Sequence, residues 1–203
     1  MATERVYGGK TAAQRQGERR EKLLDAGLEL FGTRGYAATT IEMLCAEARL
    51  NPRYFYEQFE SREQLLRAVY DRHVEDVFKS VVEAVVTAPL DPRLRLETAS
   101  RAFVAQSLAD PRATRINYFE MIGVSRELDA RRREVLGYYV DLTAAQIEEI
   151  GLEQFAPGLN LHMVAVAVVA AMDGLCIDAL GSGNADPDEI VRTLTDLFIR
   201  ALT

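Results

Sequence analysis

The chain has 203 residues, with 24 basic and 31 acidic side chains and a formal net charge of −7 at pH 7. This length allows one large or two small domains with a real core, while the acidic balance is unusual for a protein that binds nucleic acid. The acidity belongs to the C-terminal part, because residues 1–67 carry 11 basic against 10 acidic residues and residues 68–203 carry 13 against 21.

The N-terminus is polar and basic and leads into an amphipathic helix. We predict a basic arm over residues 1–17, which is either a flexible charged terminus or a segment that touches a DNA backbone. Between residues 19 and 36, Leu24, Leu28 and Phe31 recur on one helical face, and Gly35 is expected to end the helix.

Residues 39–59 predict two short helices joined by a tight turn. Thr39 and Glu42 have the spacing of a capping box, so the first helix should begin at Thr39. Asn51 followed by Pro52 predicts the start of the second helix, because asparagine caps free N–H groups and proline suits the first helical position. This is the layout of a helix-turn-helix, although an ordinary helical hairpin gives the same local pattern.

The second short helix should expose its N-terminal side chains. Phe55 and Phe59 are four residues apart and point inward together, which leaves Arg53 and Tyr54 facing outward where such a helix meets base edges. A further capping signal at Ser61 and an apolar helical pattern then predict one long helix to about residue 86.

This succession of three short helices and one long helix resembles the N-terminal domain of the TetR (tetracycline repressor) family of bacterial transcription regulators. The resemblance covers roughly a quarter of the chain without gaps. It implies a helix-turn-helix DNA-binding domain at residues 1–60 and a helical effector-binding and dimerisation domain at residues 61–203. The matching residues are Leu23, Leu24, Ala26, Leu30, Phe31, Gly35, Tyr36, Thr39, Thr40, Ile41, Leu44, Cys45, Ala48, Leu50, Asn51, Arg53, Phe55, Tyr56, Phe59, Ser61, Glu63, Leu65 and Leu66.

The resemblance also implies a function and a set of contacts. We expect a homodimeric, ligand-responsive repressor that reads a near-palindromic DNA operator. Arg53 and Tyr54 are expected to contact bases, and Thr40, Asn51, Tyr56 and Arg62 are expected to fix phosphates and register. The predicted DNA-binding residues are Thr39, Thr40, Arg49, Asn51, Arg53, Tyr54, Tyr56 and Arg62.

Two residues depart from the family pattern. Arg49 stands where the family usually has the glycine of the turn, so either the turn differs or strain is tolerated because Arg49 reaches a phosphate. Glu57, late in the recognition helix, is expected to be solvated or paired with an arginine rather than to accept from a cytosine amino group.

The rest of the chain predicts helices throughout. Helices should start near residues 91, 110 and 186, where aspartate precedes proline, and Ser125 is a weaker start for a region running to about residue 150. With no strand alternation or internal repeat, the predicted fold class is all-α, with about nine helices. The two cysteines, Cys45 and Cys176, are expected to be small buried hydrophobes in a reducing cytoplasm.

The last two helices, at about 160–180 and 187–202, are expected to form the dimer interface. The first is apolar nearly all the way round, so it must be buried on more than one side, and small residues would permit close approach of another helix. The alternative is that both helices close a monomeric core. The apolar run from Met163 to Met172 ends at Asp173 and is too short to span a bilayer, so no membrane partner is predicted.

An effector pocket is implied between the reading domain and the dimer helices, although such side chains also form ordinary cores. The effector is unidentified and expected to be a partly apolar small molecule. Asn117, Glu120 and His162 are further polar candidates, Phe155 is a further aromatic one, and His73 is expected at a surface or satisfied position. The predicted pocket residues are Phe103, Tyr118, Phe119, Met121, Tyr138, Tyr139, Met163, Met172 and Asp173.

Other function classes have less support. The sequence contains no metal-ligand spacing, no phosphate-binding glycine loop and no nucleophile motif, so we predict no enzyme, no cofactor and no metal. A helical scaffold that binds only protein remains the alternative, and a salt-dependent complex with DNA would separate the two.

Overall fold

A computed structural model describes residues 11–151, 158–183 and 186–202. These residues form nine α-helices and one π-helical turn without a strand, as the all-α prediction required. The turn, Ile116–Glu120, directly prolongs the sixth helix. The helices are α1 (Ala12–Arg34), α2 (Ile41–Ala48), α3 (Pro52–Tyr56), α4 (Arg62–Thr87), α5 (Pro92–Ser107), α6 (Pro111–Arg115), α7 (Arg126–Glu149), α8 (Leu161–Ser182) and α9 (Pro187–Leu202).

Capping side chains set most of these starts. Asp91 and Asp110 accept from backbone N–H groups just inside α5 and α6, and Ser125 does the same for α7, so the predicted starts are confirmed. Two starts were wrong: α2 begins at Ile41 rather than at Thr39, and α1 begins at Ala12, because Thr11 and Gln14 form a capping box that the prediction missed. Helix therefore occupies part of the predicted arm, and residues 1–10 lie outside the described residues.

The first core lies where α1–α4 meet. Phe31, Phe55, Leu44 and Leu65 are fully buried there, which fixes the short helices against the N-terminal half of α4. The same core continues into the π-helical turn and α7 through residues that include Ile116, Leu128 and Val135. The reading helices, α2 and α3, thus share one core with elements more than 50 residues downstream.

A second core joins the C-terminal half of α4 to α5, α8 and α9, and a smaller cluster joins α7 to α8. Cys45 is buried in the first core and Cys176 in the second, as predicted. Arg95 is buried beside the second core, and its guanidinium donates to Glu149 (2.8 Å), to Gln146 and to the carbonyl of Ala88 (3.2 Å). Those acceptors satisfy a charge that would be costly to bury alone.

Helix α8 leaves much of its apolar surface uncovered. Only 33% of its most apolar 18-residue window is buried. Within the described part of the chain it is also the one helix that is long and apolar enough to cross a membrane by length and composition. Its bounds confirm the helix predicted at about 160–180, and it continues past the apolar run Met163–Met172 through Asp173 to Ser182.

Candidate nucleic-acid interface and ligand cavity

Helix α3 exposes its N-terminal face. Asn51 caps it by accepting from the N–H of Arg53 (2.9 Å), and Pro52 is its first residue, as predicted. Phe55 is fully buried and anchors the helix from below. On the outer face the side chain of Arg53 is 83% exposed, and Tyr56 is 62% exposed. These two side chains are therefore available to a large partner.

Glu57 and Arg19 organise this face. Glu57 accepts from Nε of Arg53 (3.1 Å) and lies 3.5 Å from a guanidinium nitrogen of Arg19, which confirms that it is paired with arginine. Arg19 also stacks on the ring of Tyr54, 3.8 Å from the ring centroid, so Tyr54 is half-buried rather than fully presented. The sequence reading missed Arg19, because its partners lie more than 30 positions away and only its charge was visible.

Thr39 is not a DNA-contacting residue. Its side chain is fully buried, and its hydroxyl donates to the carbonyl of Gly35 (2.8 Å). The N-cap of α2 is instead Thr40, which accepts from the N–H of Met43 (3.3 Å) and is exposed. The predicted capping box was therefore one residue out of register, because adjacent threonines offered two equivalent starts.

Arg62 also has a role that the sequence did not suggest. Its guanidinium stacks on the ring of Tyr36 (4.7 Å) and donates to the carbonyls of Tyr36 (3.1 Å) and Thr39. On the other side of this loop, Glu120 accepts from the N–H of Tyr36 (2.7 Å). Arg62 thus holds the loop that positions α2 instead of projecting toward a phosphate, and Glu120 ties that loop to the π-helical turn.

Arg49 adopts the left-handed conformation, with φ 54° and ψ 44°. It is the non-glycine residue with positive φ among the residues that the structure describes. The turn therefore keeps the glycine-type backbone despite the arginine, at a backbone strain on the order of 1–3 kcal/mol. The side chain of Arg49 is exposed.

Replacing Arg49 with glycine should raise the free energy of unfolding by about 1 kcal/mol, because glycine adopts this conformation without strain. If Arg49 contacts a phosphate, the same change should reduce the slope of log affinity for DNA against log salt concentration by about one. Arg49→Ala is the matched control, since it removes the charge but keeps a Cβ at positive φ. Equal stability of the glycine and alanine variants would show that the turn is unstrained.

A cavity of about 220 Å³ lies between α4, α5, α7 and α8, and a second cavity of about 90 Å³ adjoins it. Among the predicted pocket residues, Tyr118 and Asp173 line the first cavity and Met172 lines the second. Phe103 and Tyr139 line both.

Four other predicted pocket residues lie elsewhere. Phe119, Tyr138 and Met163 are exposed by 49%, 46% and 62% and line neither cavity, and Met121 is buried in the first core. Adjacent residues of a helix face different directions, so Tyr118 can point inward while Phe119 points to solvent.

The additional polar and aromatic candidates have mixed positions. Asn117 lines the first cavity, Glu120 contacts the reading loop instead, and His162 is exposed. Phe155 lies outside the described residues.

The first cavity is lined by polar groups, of which the sequence predicted Asn117, Tyr118 and Asp173 but not His73 or Arg132. The hydroxyl of Tyr118 donates to Asp173 (2.9 Å), whose pKa is raised by burial. His73 lines the same cavity, burial lowers its pKa, and its Nε2 atom is buried without a hydrogen-bond partner, so the prediction of a surface or satisfied position was wrong. Arg132 lines the cavity as well. The apolar helical pattern around His73 was the sequence signal that could have indicated its position beside the cavity.

The helix-turn-helix segment of this chain matches a family of known proteins. Residues 23–69 match the family model of bacterial regulatory proteins, tetR family. This chain therefore carries a tetR-family helix-turn-helix domain. The matched segment comprises the end of α1, the helix-turn-helix and the start of α4. The family consists of bacterial regulatory proteins, and the helix-turn-helix is the part of such proteins that binds DNA.

Two relatives and one solved structure extend the match. The transcriptional activator FasR of Mycolicibacterium smegmatis is 36% identical over 101 residues, which are 49% of this chain and 46% of that protein. An uncharacterised helix-turn-helix regulator of Xanthobacter autotrophicus is 24% identical over 190 residues, 93% of this chain and 92% of that protein. The structure of FadR from Bacillus subtilis in complex with stearoyl-CoA superposes with a TM-score of 0.78 at 14% identity, covering 87% of this chain and 96% of that one.

Proposed function

We propose that this tetR-family protein is a cytoplasmic, homodimeric repressor that binds a near-palindromic operator and is released by a small-molecule effector. The observation that carries the proposal is the exposed N-terminal face of α3, with Arg53 and Tyr56 uncovered above a buried anchor. Arg53 and Tyr54 contact bases, while Thr40, Arg49, Asn51 and Tyr56 contact the backbone. Residues 1–60 form the reading unit, and residues 61–203 form the effector and dimer unit.

Dimerisation is proposed through α8 and α9. Met163, Val166 and Ile177 on α8 are 62%, 38% and 38% exposed, and Leu197 on α9 is 58% exposed. Such surfaces favour burial against a second copy, and a two-fold operator needs a two-fold protein. The two α3 helices would then enter successive major-groove faces about 34–36 Å apart. A monomer in sedimentation at micromolar concentration would contradict this part of the proposal.

The effector is proposed to bind in the two adjoining cavities. Val74 and Val77 of α4 line the first cavity, and α4 begins beside the reading helices, so a bound ligand can tilt α4 and change the spacing of the two α3 helices. A coupling of about 1–3 kcal/mol is typical of such switches. FadR was solved with stearoyl-CoA, which supports an effector with an apolar part.

Selection from random double-stranded DNA should yield a near-palindrome with two half-sites about one helical turn apart. Affinity for it should fall steeply with salt, because phosphate contacts release counterions. If the selection enriches no DNA sequence, the alternative of a protein-binding scaffold is favoured. Transcription in vitro from a promoter carrying the selected site then gives the direction of regulation, which matters because FasR is named an activator. Increased transcription would contradict the repressor assignment.

A further inference from the structure

The two cavities share a wall made of two aromatic rings. Phe103 and Tyr139 line both cavities, and their ring centroids are 5.6 Å apart at an interplanar angle of 89°. The hydroxyl of Tyr139 is held only by a 3.5 Å contact to the carbonyl of Val74, which is weak for a hydrogen bond. Tyr139 is half-buried while Phe103 is buried, so Tyr139 is the less enclosed residue of this wall.

The cavities on either side of the wall differ in chemistry. The first contains the unpartnered Nε2 of His73 and the guanidinium of Arg132, and no carboxylate is within ion-pair distance of Arg132 among the described residues. A buried polar atom without a partner calls for a ligand or a water. The second cavity is lined mainly by aliphatic and aromatic side chains, including Leu142, Val168 and Phe198.

We propose that the two cavities form one site for an unbranched acyl group of medium length, whose carboxylate or thioester carbonyl lies near His73 and Arg132 and whose tail passes Tyr139, with the Tyr139 ring setting the accepted chain length. This inference rests on the proposed function, because it names the class of effector for that site. At about 30 Å³ for each water-sized group, the first cavity holds about seven non-hydrogen atoms and the second about three. The matching ligand is therefore an acyl chain of about eight to ten carbons.

The charges around the head group are compatible with a carboxylate. Arg132 and Arg133 line the first cavity together with two acidic residues, Asp129 and Asp173. Asp129 accepts from the N–H of Gly123 (3.3 Å), and Asp173 accepts from Tyr118 (2.9 Å). Burial raises the pKa of Asp173, which weakens its repulsion of an anionic head.

The far end of the second cavity sets a further limit on the tail, in addition to the Tyr139 ring. Arg95 and Gln146 line this cavity, and the Arg95 guanidinium is engaged with Glu149 (2.8 Å) and the carbonyl of Ala88 (3.2 Å). A longer tail would have to break these contacts or remain outside. Each methylene buried before that point should tighten binding about fourfold.

The test is direct binding of saturated fatty acids from four to sixteen carbons, and of their CoA thioesters, to the full-length protein by calorimetry without DNA. We expect tightest binding near about eight to ten carbons, at least tenfold tighter than at either end of the series. Comparison of the two series shows whether the protein binds the free acid or its CoA thioester. A flat length series, or no binding of either series, overturns the inference.

Variants at Tyr139 test the dividing ring. Tyr139→Ala should shift the optimum toward longer chains by about four carbons, because the volume of the removed ring becomes available to the tail. Tyr139→Phe is the control and should keep the parental optimum, since it keeps the ring. Should the alanine variant fold poorly, Tyr139→Leu makes the same test with less lost volume. An unchanged optimum in a folded variant overturns the role of Tyr139.

A separate binding experiment tests the assignment of the head group to Arg132. Arg132→Gln should weaken binding of decanoic acid about tenfold or more while leaving 1-decanol unchanged, because only the acid carries a charge for Arg132 to pair with. Decylamine binding more tightly than decanoic acid would overturn the assignment. These measurements use no operator, so their failure alongside a successful operator selection would reject the ligand class and leave the DNA-binding function standing.

Discussion

Replacing Arg53 with alanine should weaken binding to the selected operator by about 1–3 kcal/mol, which is roughly 5- to 150-fold. Arg53 is 83% exposed at the N-terminal end of α3, where side chains of a recognition helix reach base edges. Its removal should also relax the base preference at one position in each half-site, because phosphate contacts by other residues remain. Titrations of operator and of a shuffled sequence at equal salt give both quantities.

Two variants control this experiment. Glu57→Gln removes the carboxylate that Arg53 contacts at 3.1 Å and should raise affinity for both DNA sequences, because a negative charge near the phosphates is lost. Lys79→Ala removes an exposed cation in the middle of α4, away from the reading face and from α8 and α9, and should leave both affinities unchanged. An Arg53→Ala protein that keeps its operator preference would show that other residues read the bases.

Replacing Gly32 with alanine should lower the free energy of unfolding by about 1–3 kcal/mol or more. A Cβ at this position would lie 2.4 Å from Cβ and 2.7 Å from Cα of Arg112, so helices α1 and α6 would have to separate. Part of that contact is backbone, which cannot rotate out of the way. Urea unfolding of the variant and the parent measures the difference.

Gly17 supplies the matched control on the same helix. A Cβ there meets nothing within 4 Å, so Gly17→Ala should stabilise the protein by about 0.5–1 kcal/mol through the better helix propensity of alanine. Changes of opposite sign in the free energy of unfolding for the two variants would establish that close approach to α6, and not helix propensity, decides the outcome at Gly32. Similar small effects at both would mean that α6 can move away from α1 at little cost.

Local signals in the sequence predicted the helix starts well. Asp91, Asp110 and Ser125 each cap a helix with their own side chain, an interaction that spans two or three residues. The failure at Thr39 has the opposite cause: it donates to Gly35 and is buried among α1 residues, a tertiary role that its neighbour Thr40 does not share. Local spacing alone could not separate two adjacent threonines.

The candidate sites were predicted less completely because they depend on long-range contacts. Arg62 and Glu120 both bind the backbone of Tyr36, across 26 and 84 positions, and no local pattern predicts such a pair. For the cavity, the sequence identified candidate aromatic residues but not the direction in which each side chain points. The π-helical turn changes the helical phase between residues 116 and 120, so the direction of Phe119 could not be derived from a regular 3.6-residue period.

The π-helical turn connects the two sites through residues only two positions apart. Tyr118 donates to Asp173 in the cavity, while Glu120 accepts from Tyr36 beside the reading helices. Thermodynamic coupling is reciprocal, so an effector that lowers operator affinity tenfold will itself bind the operator-bound protein ten times more weakly. A strong operator should consequently need more effector for release than a weak one, and a single regulator could release its target promoters in order of their affinity as the effector concentration rises.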